Sequence, residues 1–207
     1  MLPGRSFAKQ ASVADLVAAA APVATALGAF HAERLDLGPG LGLQDEIDAL
    51  AESTAKLARA YPADAARCAA LQARLLAAVP ALPAVPAAPV HGSFKMSHVF
   101  DAGGQVAFID FDGAGIGDPT YDVGRFLAHL YVAALDAHTE PATLERAIDS
   151  FRVAYAAQVP WGWAAERVRW YAAALLVSSQ AYKCVKRMAP ERVEAILAAA
   201  ESLLPAT

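Results

Sequence analysis

The sequence predicts a mainly α-helical fold with one small β-hairpin, an α+β arrangement, and two observations support this. Most of the 207 residues lie in long stretches whose apolar side chains recur at helical spacing, and Pro or Gly separates one stretch from the next. Segment 90–126 differs, because two short apolar runs there flank the turn-type sequence Asp101–Gly104, as in a tight hairpin. We therefore expect about eight helices around one hairpin.

The first half of the chain is predicted to hold three helices. The first spans residues 12–31, and Pro22 within it predicts a kink or a split. The second spans residues 44–61, and the third spans residues 62–79, with proline as its first residue. The prolines of segment 80–89 are incompatible with a helix, so an extended connector is expected there.

The chain after the hairpin is predicted to hold four more helices. Asp118 and Pro119 suit the N-cap and the first residue of the first of them. The four span residues 119–137, 141–158, 164–183 and 190–204. Four basic residues cluster near a helix end, where positive charge is favourable, and anion binding is the alternative interpretation. They are Lys183, Lys186, Arg187 and Arg192.

Composition and charge exclude several classes of protein. A net charge of -4 argues against a nucleic-acid-binding protein, and no run of about 18 residues is apolar enough to predict a membrane span. Cys68 and Cys184 show no spacing typical of a disulfide framework or a metal site. We therefore expect reduced thiols and a cytoplasmic protein.

Segment 90–126 holds the densest group of His, Asp, Ser, Lys and Gly residues in the chain. One polar loop precedes the first strand of the hairpin, and another follows the second strand. A hairpin brings the start of its first strand and the end of its second strand to the same end of the ribbon. We therefore expect Ser93, His98 and Asp110 to approach one another.

The same segment resembles the core of the aminoglycoside phosphotransferase and choline kinase-like family, whose members are distant relatives of protein kinases. That family shows the pattern H-G-D-x-x-x-x-N, then a hairpin, then I-D-F-[DEG] and D-P-x-x-D. The matching residues are His91-Gly92-Ser93 with His98, then Ile109-Asp110-Phe111-Asp112, then Asp118-Pro119 with Asp122. The resemblance implies a protein kinase-like fold in which residues 12–207 form the large C-terminal lobe, with the catalytic and metal loops in 90–126.

Residues 1–11 resemble the hinge segment, L-P-G-x-S/P-L, that follows the small ATP-binding lobe in this family. This implies that the chain begins where the large lobe begins and that the small N-terminal lobe is absent from it. A flexible terminus is the alternative interpretation of these residues. A missing small lobe would expose an apolar face, so we expect association through that face.

The resemblance implies Mg²⁺ and ATP as cofactors, and Asp110 matches the residue that binds the metal. Asp112, two residues on, is a candidate second ligand. Ser93 stands where the family has its catalytic Asp, and a serine hydroxyl orients an acceptor but is not a base at neutral pH. Lys95 matches the position of a phosphate-neutralising lysine in protein kinases, and a solvated loop lysine is the alternative.

His98 stands where the family has a metal-binding Asn. Imidazole suits Zn, Cu or Ni better than Mg, so one interpretation is a transition-metal site formed by His98, Asp110 and Asp112. The other interpretation is a loop histidine that is hydrogen-bonded to the backbone. By resemblance, His91 supports the loop, and Asp122 reaches back to hydrogen-bond the backbone of the loop.

In a complete member of this family, the implied activity is ATP-dependent phosphorylation of a small hydroxylated acceptor, such as an aminoglycoside, an amino-alcohol or a sugar. Ser93 and His98 predict an impaired enzyme, and the missing small lobe predicts a truncated one. The alternative, which Ser93 and His98 also suggest, is a non-catalytic pseudokinase-like binding module. A helical protein with a chance motif is a third interpretation, which predicts that the two loops lie far apart. A nucleophilic Ser93 is disfavoured because the G-x-S-x-G elbow is missing.

Overall fold

The computed structural model describes residues 5–6 and 13–205, and eight α-helices account for most of them. They are α1 (Val13–Ala32), α2 (Leu43–Ala60), α3 (Ala65–Ala78), α4 (Pro119–Asp136), α5 (Pro141–Ala156), α6 (Ala165–Leu175), α7 (Tyr182–Arg187) and α8 (Val193–Ser202). The predicted mainly helical fold is confirmed. None of the described helices has the length and the apolar character needed to cross a bilayer. The predicted hinge segment 1–11 lies outside the described residues except for residues 5–6.

Two helices differ from the prediction. Pro22 lies inside α1 without splitting it, because α1 packs along α5 and its Val23 and Leu27 are fully buried. This packing offsets the hydrogen bond that proline cannot make. The predicted helix 164–183 consists instead of α6, a π-helical segment from Leu176 to Ala181 and the start of α7.

Within the described residues, five short strands form two small sheets. The predicted hairpin pairs β3 (Val99–Asp101) with β4 (Val106–Phe108), and β1 (Arg5–Ser6) adds to β3 in antiparallel fashion. The second sheet, which pairs β2 (Ala88–Val90) with β5 (Gly115–Gly117), was not predicted. Pro and Gly occupy three of its six positions, and both residue types are depleted in strands.

Helix α4 lies between two hydrophobic cores. Its Tyr121 belongs to a core formed mainly by α2, α3, α6 and α8, which also contains the free and buried Cys68 and Cys184. Its Phe126 belongs to a core formed by α1, α4 and α5, which also contains Phe94 from the loop before β3. Helix α4 is therefore fixed on two sides, and so is any polar group that it presents to that loop.

Candidate active site

The two polar loops of the hairpin meet, as the sequence predicts. The backbone N–H of Ile109 donates to the carbonyl of His98 at 3.0 Å, and the hydroxyl of Ser93 donates to the carbonyl of Asp110 at 3.2 Å. Loop 91–98 and loop 109–113 therefore form one site. The interpretation of a chance motif, which requires the loops to lie apart, is wrong.

Ser93 lies at the centre of this site, between two histidine rings. Its Oγ lies 3.3 Å from Nδ1 of His91 and 3.5 Å from Nδ1 of His98. On the far side of the His98 ring, Nε2 lies 3.0 Å from Oδ2 of Asp110. The predicted approach of Ser93, His98 and Asp110 is thus confirmed, with His91 as an additional neighbour.

The hydrogen bonds of the His91 and His98 rings show which nitrogen of each ring can accept a proton from Ser93. Nε2 of His91 lies 2.9 Å from the carbonyl of Ile109, which can only accept, so in the neutral ring Nδ1 carries the lone pair. Burial lowers the pKa of His98, and the charge of Lys95 lowers it further, so the neutral ring predominates at pH 7. When its Nε2–H donates to the Asp110 carboxylate, its Nδ1 is also an acceptor.

The surroundings of Ser93 leave its oxygen able to accept. The three groups within reach of its single proton are His91 Nδ1, His98 Nδ1 and the Asp110 carbonyl, all of them acceptors. A hydroxyl has two lone pairs besides its proton. A bound O–H group can therefore donate to Ser93 Oγ while the Ser93 proton is held by one of these three acceptors.

Asp110 is suited to a magnesium–nucleotide complex. Its backbone adopts the left-handed conformation, with φ 68° and ψ 59°, which for a residue other than Gly is typical of functional sites. Its side chain is 44% exposed, so carboxylate oxygen remains free besides the contact with His98. Mg²⁺ keeps several waters and usually takes one or two protein carboxylates plus phosphate oxygens, and this arrangement meets that requirement.

The structure does not gather the three proposed metal ligands. Asp112 is exposed on the short turn 111–113, and only His98 and Asp110 are in contact. Across residues 13–205, no group of three or more His, Cys, Asp or Glu side chains is placed to hold an ion. A protein-only transition-metal site is therefore not formed, whereas a single carboxylate suffices for magnesium that arrives with a nucleotide.

Asp122 anchors the loop that carries Ser93, as the resemblance implies. Its fully buried carboxylate accepts the backbone N–H of His91 at 2.6 Å and that of Gly92 at 3.0 Å. Gly92 has φ 74°, and a Cβ there would lie 2.2 Å from the carbonyl oxygen of Gly113. The loop conformation thus requires both the carboxylate and a glycine at these two positions.

Two buried side chains that sequence reasoning missed extend this anchor to the outer helices. Nε2 of His31, on α1, lies 3.2 Å from Oδ2 of Asp122. Nδ1 of the same ring lies 2.8 Å from the hydroxyl of Tyr155 on α5. No local motif marks these residues, because the partners are 91 and 124 positions apart in the chain.

Lys95 and Asp110 have opposite effects on the protonation of His98. Lys95 is half-buried, and its charge lowers the pKa of His98, whereas the charge of Asp110 raises it. Burial lowers the pKa of Lys183 on α7, and the charges of Arg125 on α4 and of Lys95 lower it further. The sequence places these three residues in separate elements, so this electrostatic coupling was not predicted.

Solved structures of small-molecule kinases share this fold. Glucosamine kinase in complex with glucosamine, ADP and inorganic phosphate is 21% identical, with a TM-score of 0.65 over 97% of this chain and 55% of that chain. A choline/ethanolamine kinase family protein from Mesorhizobium loti is 15% identical, with a TM-score of 0.64 over 98% of this chain and 68% of its own. An aminoglycoside phosphotransferase from Streptomyces rimosus, in complex with ADP and streptomycin, is 21% identical, with a TM-score of 0.57 over 83% of this chain and 66% of its own. The protein kinase-like fold is confirmed.

The sequence comparison identifies the family. The profile of the Phosphotransferase enzyme family matches residues 1–171, which is most of the chain, so this chain belongs to that family. It spans 54% to 60% of the length of the glucosamine kinase structures. A comparison with curated proteins gives no significant match.

Proposed function

We propose that this protein catalyses ATP-dependent phosphorylation of a small hydroxylated molecule, of the amino-sugar, amino-alcohol or sugar type. The convergence of Ser93, His98 and Asp110 on two hairpin loops carries the proposal. Membership of the Phosphotransferase enzyme family supports it, as do relatives of the same fold solved with ADP and with glucosamine or streptomycin.

Ser93 and His98 together supply the proton path that a carboxylate supplies in other members of the family. The acceptor hydroxyl donates to Ser93 Oγ; as its proton moves to that oxygen, the proton that Ser93 carried passes to Nδ1 of the neutral His98 ring, 3.5 Å away. The acceptor oxygen then bonds to the transferred phosphorus, and the bond from that phosphorus to the ADP oxygen breaks. The Asp110 carboxylate, next to Nε2, stabilises the imidazolium that results.

Asp110 is the residue that would hold Mg²⁺. The ion would neutralise negative charge that develops on the nucleotide phosphates. The exposed part of the Asp110 carboxylate would hold the ion on the same loop pair as the hydroxyl of Ser93. Lys95 adds positive charge on the same loop, two residues after Ser93.

Nucleotide binding is tested by calorimetry with MgATP on the full-length protein. We expect binding that is lost in Asp110→Ala and retained in Asp36→Ala, which removes the same charge from an exposed loop. Equal affinities in the two variants, or no binding to the unmodified protein at millimolar MgATP, would contradict the proposed role of Asp110.

Catalysis is tested by following ADP release with a panel of hydroxylated acceptors. General base assistance contributes about 100-fold or more to such rates, so Ser93→Ala should lower kcat by about that factor while MgATP affinity is unchanged. A Ser93→Ala variant with the kcat of the unmodified protein would exclude the proton path through this residue.

The serine at the position of the carboxylate of the family favours a second candidate function, a non-catalytic pseudokinase-like binding module. The double variant with Ser93→Asp and His98→Asn restores both residues of the family pattern. A binding module predicts no phosphotransfer in either protein while ligand binding persists. If the unmodified protein releases ADP in the presence of an acceptor faster than the background rate of ATP hydrolysis, it is an enzyme and the binding-module function is excluded.

A further inference from the structure

Three basic side chains next to the proposed active site lack acidic partners. They are Lys95 on the loop that carries Ser93, Arg125 on α4 and Lys183 on α7. None of the three has a carboxylate within ion-pair distance in residues 13–205. In addition, Nε of Arg125 is buried with no hydrogen-bond partner in that part of the chain.

Packing and hydrogen bonds link the three side chains, and the pKa values of nearby groups respond to their charges. His129 lies about one turn after Arg125 on α4, Gln180 contacts both His129 and Lys183, and α4 packs against the turn that follows Lys95. Burial and then the charges of Lys183, Arg125 and Lys95 lower the pKa of His129 to about 3. Burial and then the charges of Arg125 and Lys95 lower the pKa of Lys183 to about 8, and the outer residues Arg187 and Lys186 contribute less. The positive charges therefore act on one another, and all three side chains are partly buried.

Neutral groups hold two of these cations in place. A guanidinium N–H of Arg125 donates to the hydroxyl of Tyr121 at 2.9 Å. The amide of Gln180, in the π-helical segment, donates to Nε2 of His129 at 3.2 Å and accepts from Nζ of Lys183 at 3.3 Å. The cations are thus oriented without being neutralised.

Glu46 on α2 is the acidic group whose charge acts on Arg125. It is 3% exposed, and burial raises its pKa to about 7, against the opposing effects of the Ser178 hydrogen bond and the Arg125 charge. It is therefore only partly ionised at neutral pH and balances less than one positive charge. Partly buried cations are costly unless they are paired, so a bound anion would be stabilised here.

We propose that Lys95, Arg125 and Lys183 form a subsite for an anionic group, a carboxylate or a phosphate monoester, on the acceptor molecule. Helix α4 packs against the turn Met96–His98, so this subsite adjoins the hydroxyl of Ser93. The assignment of the anion to the acceptor rests on the proposed kinase function, and it narrows the proposed acceptors to those that also carry a carboxylate or a phosphate group. Binding of the anion itself does not.

The test measures binding of three matched hexoses that differ in charge, without nucleotide, by calorimetry. The probes are glucuronate, glucose and glucosamine, with inorganic phosphate as a fourth ligand. We expect glucuronate to bind more tightly than glucose, glucosamine to bind most weakly, and the affinity for glucuronate to fall with salt because the interaction is between charges. No binding of glucuronate or phosphate at millimolar concentration, or equal affinity for glucose and glucuronate, would overturn the proposal.

Variants locate the binding. Loss of one charge-assisted contact should weaken glucuronate binding by about tenfold or more in Arg125→Gln, whereas Arg125→Lys should retain most of it. Arg146→Gln, which removes an exposed charge on α5, is the matched control and should bind as the unmodified protein does. Equal weakening in Arg125→Gln and Arg146→Gln would overturn the assignment to this cluster.

Competition separates the acceptor from the nucleotide as the source of the anion. Saturating MgATP should leave glucuronate binding in place, and displacement of glucuronate would show that these cations bind nucleotide phosphates instead, which overturns the proposal. If glucuronate binds as expected but no acceptor is phosphorylated, the subsite stands and the proposed kinase function fails.

Discussion

Replacement of Glu46 by glutamine should remove the loss of stability that this group causes as pH rises through neutrality. The carboxyl group of Glu46 is buried on α2, and the hydroxyl of Ser178 donates to its Oε1 at 2.5 Å. Burial raises its pKa from 4.5 to about 7. A glutamine keeps an oxygen that accepts from Ser178 but has no charge to lose.

The sign and the size follow from proton linkage. Between pH 4.5 and about 7 the folded protein keeps the Glu46 proton and the unfolded chain has lost it, so the contribution of this group is complete below pH 4.5 and is lost as pH rises through 7. Each tenfold change in proton affinity is worth about 1.4 kcal/mol, which gives about 3 kcal/mol as the upper limit of the loss. Glu46→Gln should therefore be about as stable as the unmodified protein at pH 4.5 and more stable, by up to about 3 kcal/mol, above pH 8.

The assay is urea denaturation of both proteins between pH 4.5 and 8.5. Glu33→Gln, which makes the same change at an exposed site, is the control and should follow the unmodified protein at every pH. Free energies of unfolding that fall in parallel for Glu46→Gln and the unmodified protein would refute the reasoning, because Glu46 would then not be the group that titrates.

Three further substitutions test the anchors of the fold and of the loop. Asp122→Ala leaves two buried loop amides without an acceptor, at a cost of about 1–3 kcal/mol each. The urea midpoint and kcat should therefore both fall. An unchanged midpoint would contradict the anchoring role. Gly92→Ala combines a positive φ with a Cβ 2.2 Å from the carbonyl oxygen of Gly113. We therefore expect the free energy of unfolding to fall by about 2 kcal/mol or more. Calorimetric melting at the temperature of the unmodified protein would exclude this strain. Trp170→Phe removes the donor to the carbonyl of Leu75, at 2.8 Å in the core, and should cost about 2 kcal/mol, which the urea midpoint reports.

The helices, the hairpin and the meeting of its two loops could be predicted because each follows from local chemistry. Helical periodicity fixed α4 to within one residue at its C-terminal end, and Asp118 caps it as predicted by accepting from the N–H of Thr120. The turn residues at 101–104 fixed the hairpin. Once that hairpin exists, geometry alone brings Ser93 and Asp110 to one end of it.

Features that depend on distant partners could not be predicted. Half of the residues in strands β2 and β5 are Pro or Gly, so pairing across the fold, and not local propensity, makes them strands. The π-helical segment reads as ordinary helix in the sequence, yet it places Ser178 beside Glu46 and Gln180 beside His129. The cluster of Lys95, Arg125 and Lys183 likewise exists only because three separate elements pack together.

The burial of Cys68 on α3 and Cys184 on α7 in one core supplies two chemical reporters of its opening. Burial also raises the pKa of both thiols, so neither reacts readily with a disulfide reagent while the helices stay packed. If the core opens as one cooperative unit, both thiols become labelled at the same rate; if α7 and the π-helical segment separate first, Cys184 reacts ahead of Cys68. The labelling rates of Cys68 and Cys184, measured with and without glucuronate, would then show whether a ligand bound at the basic cluster slows the opening of α3 or of α7.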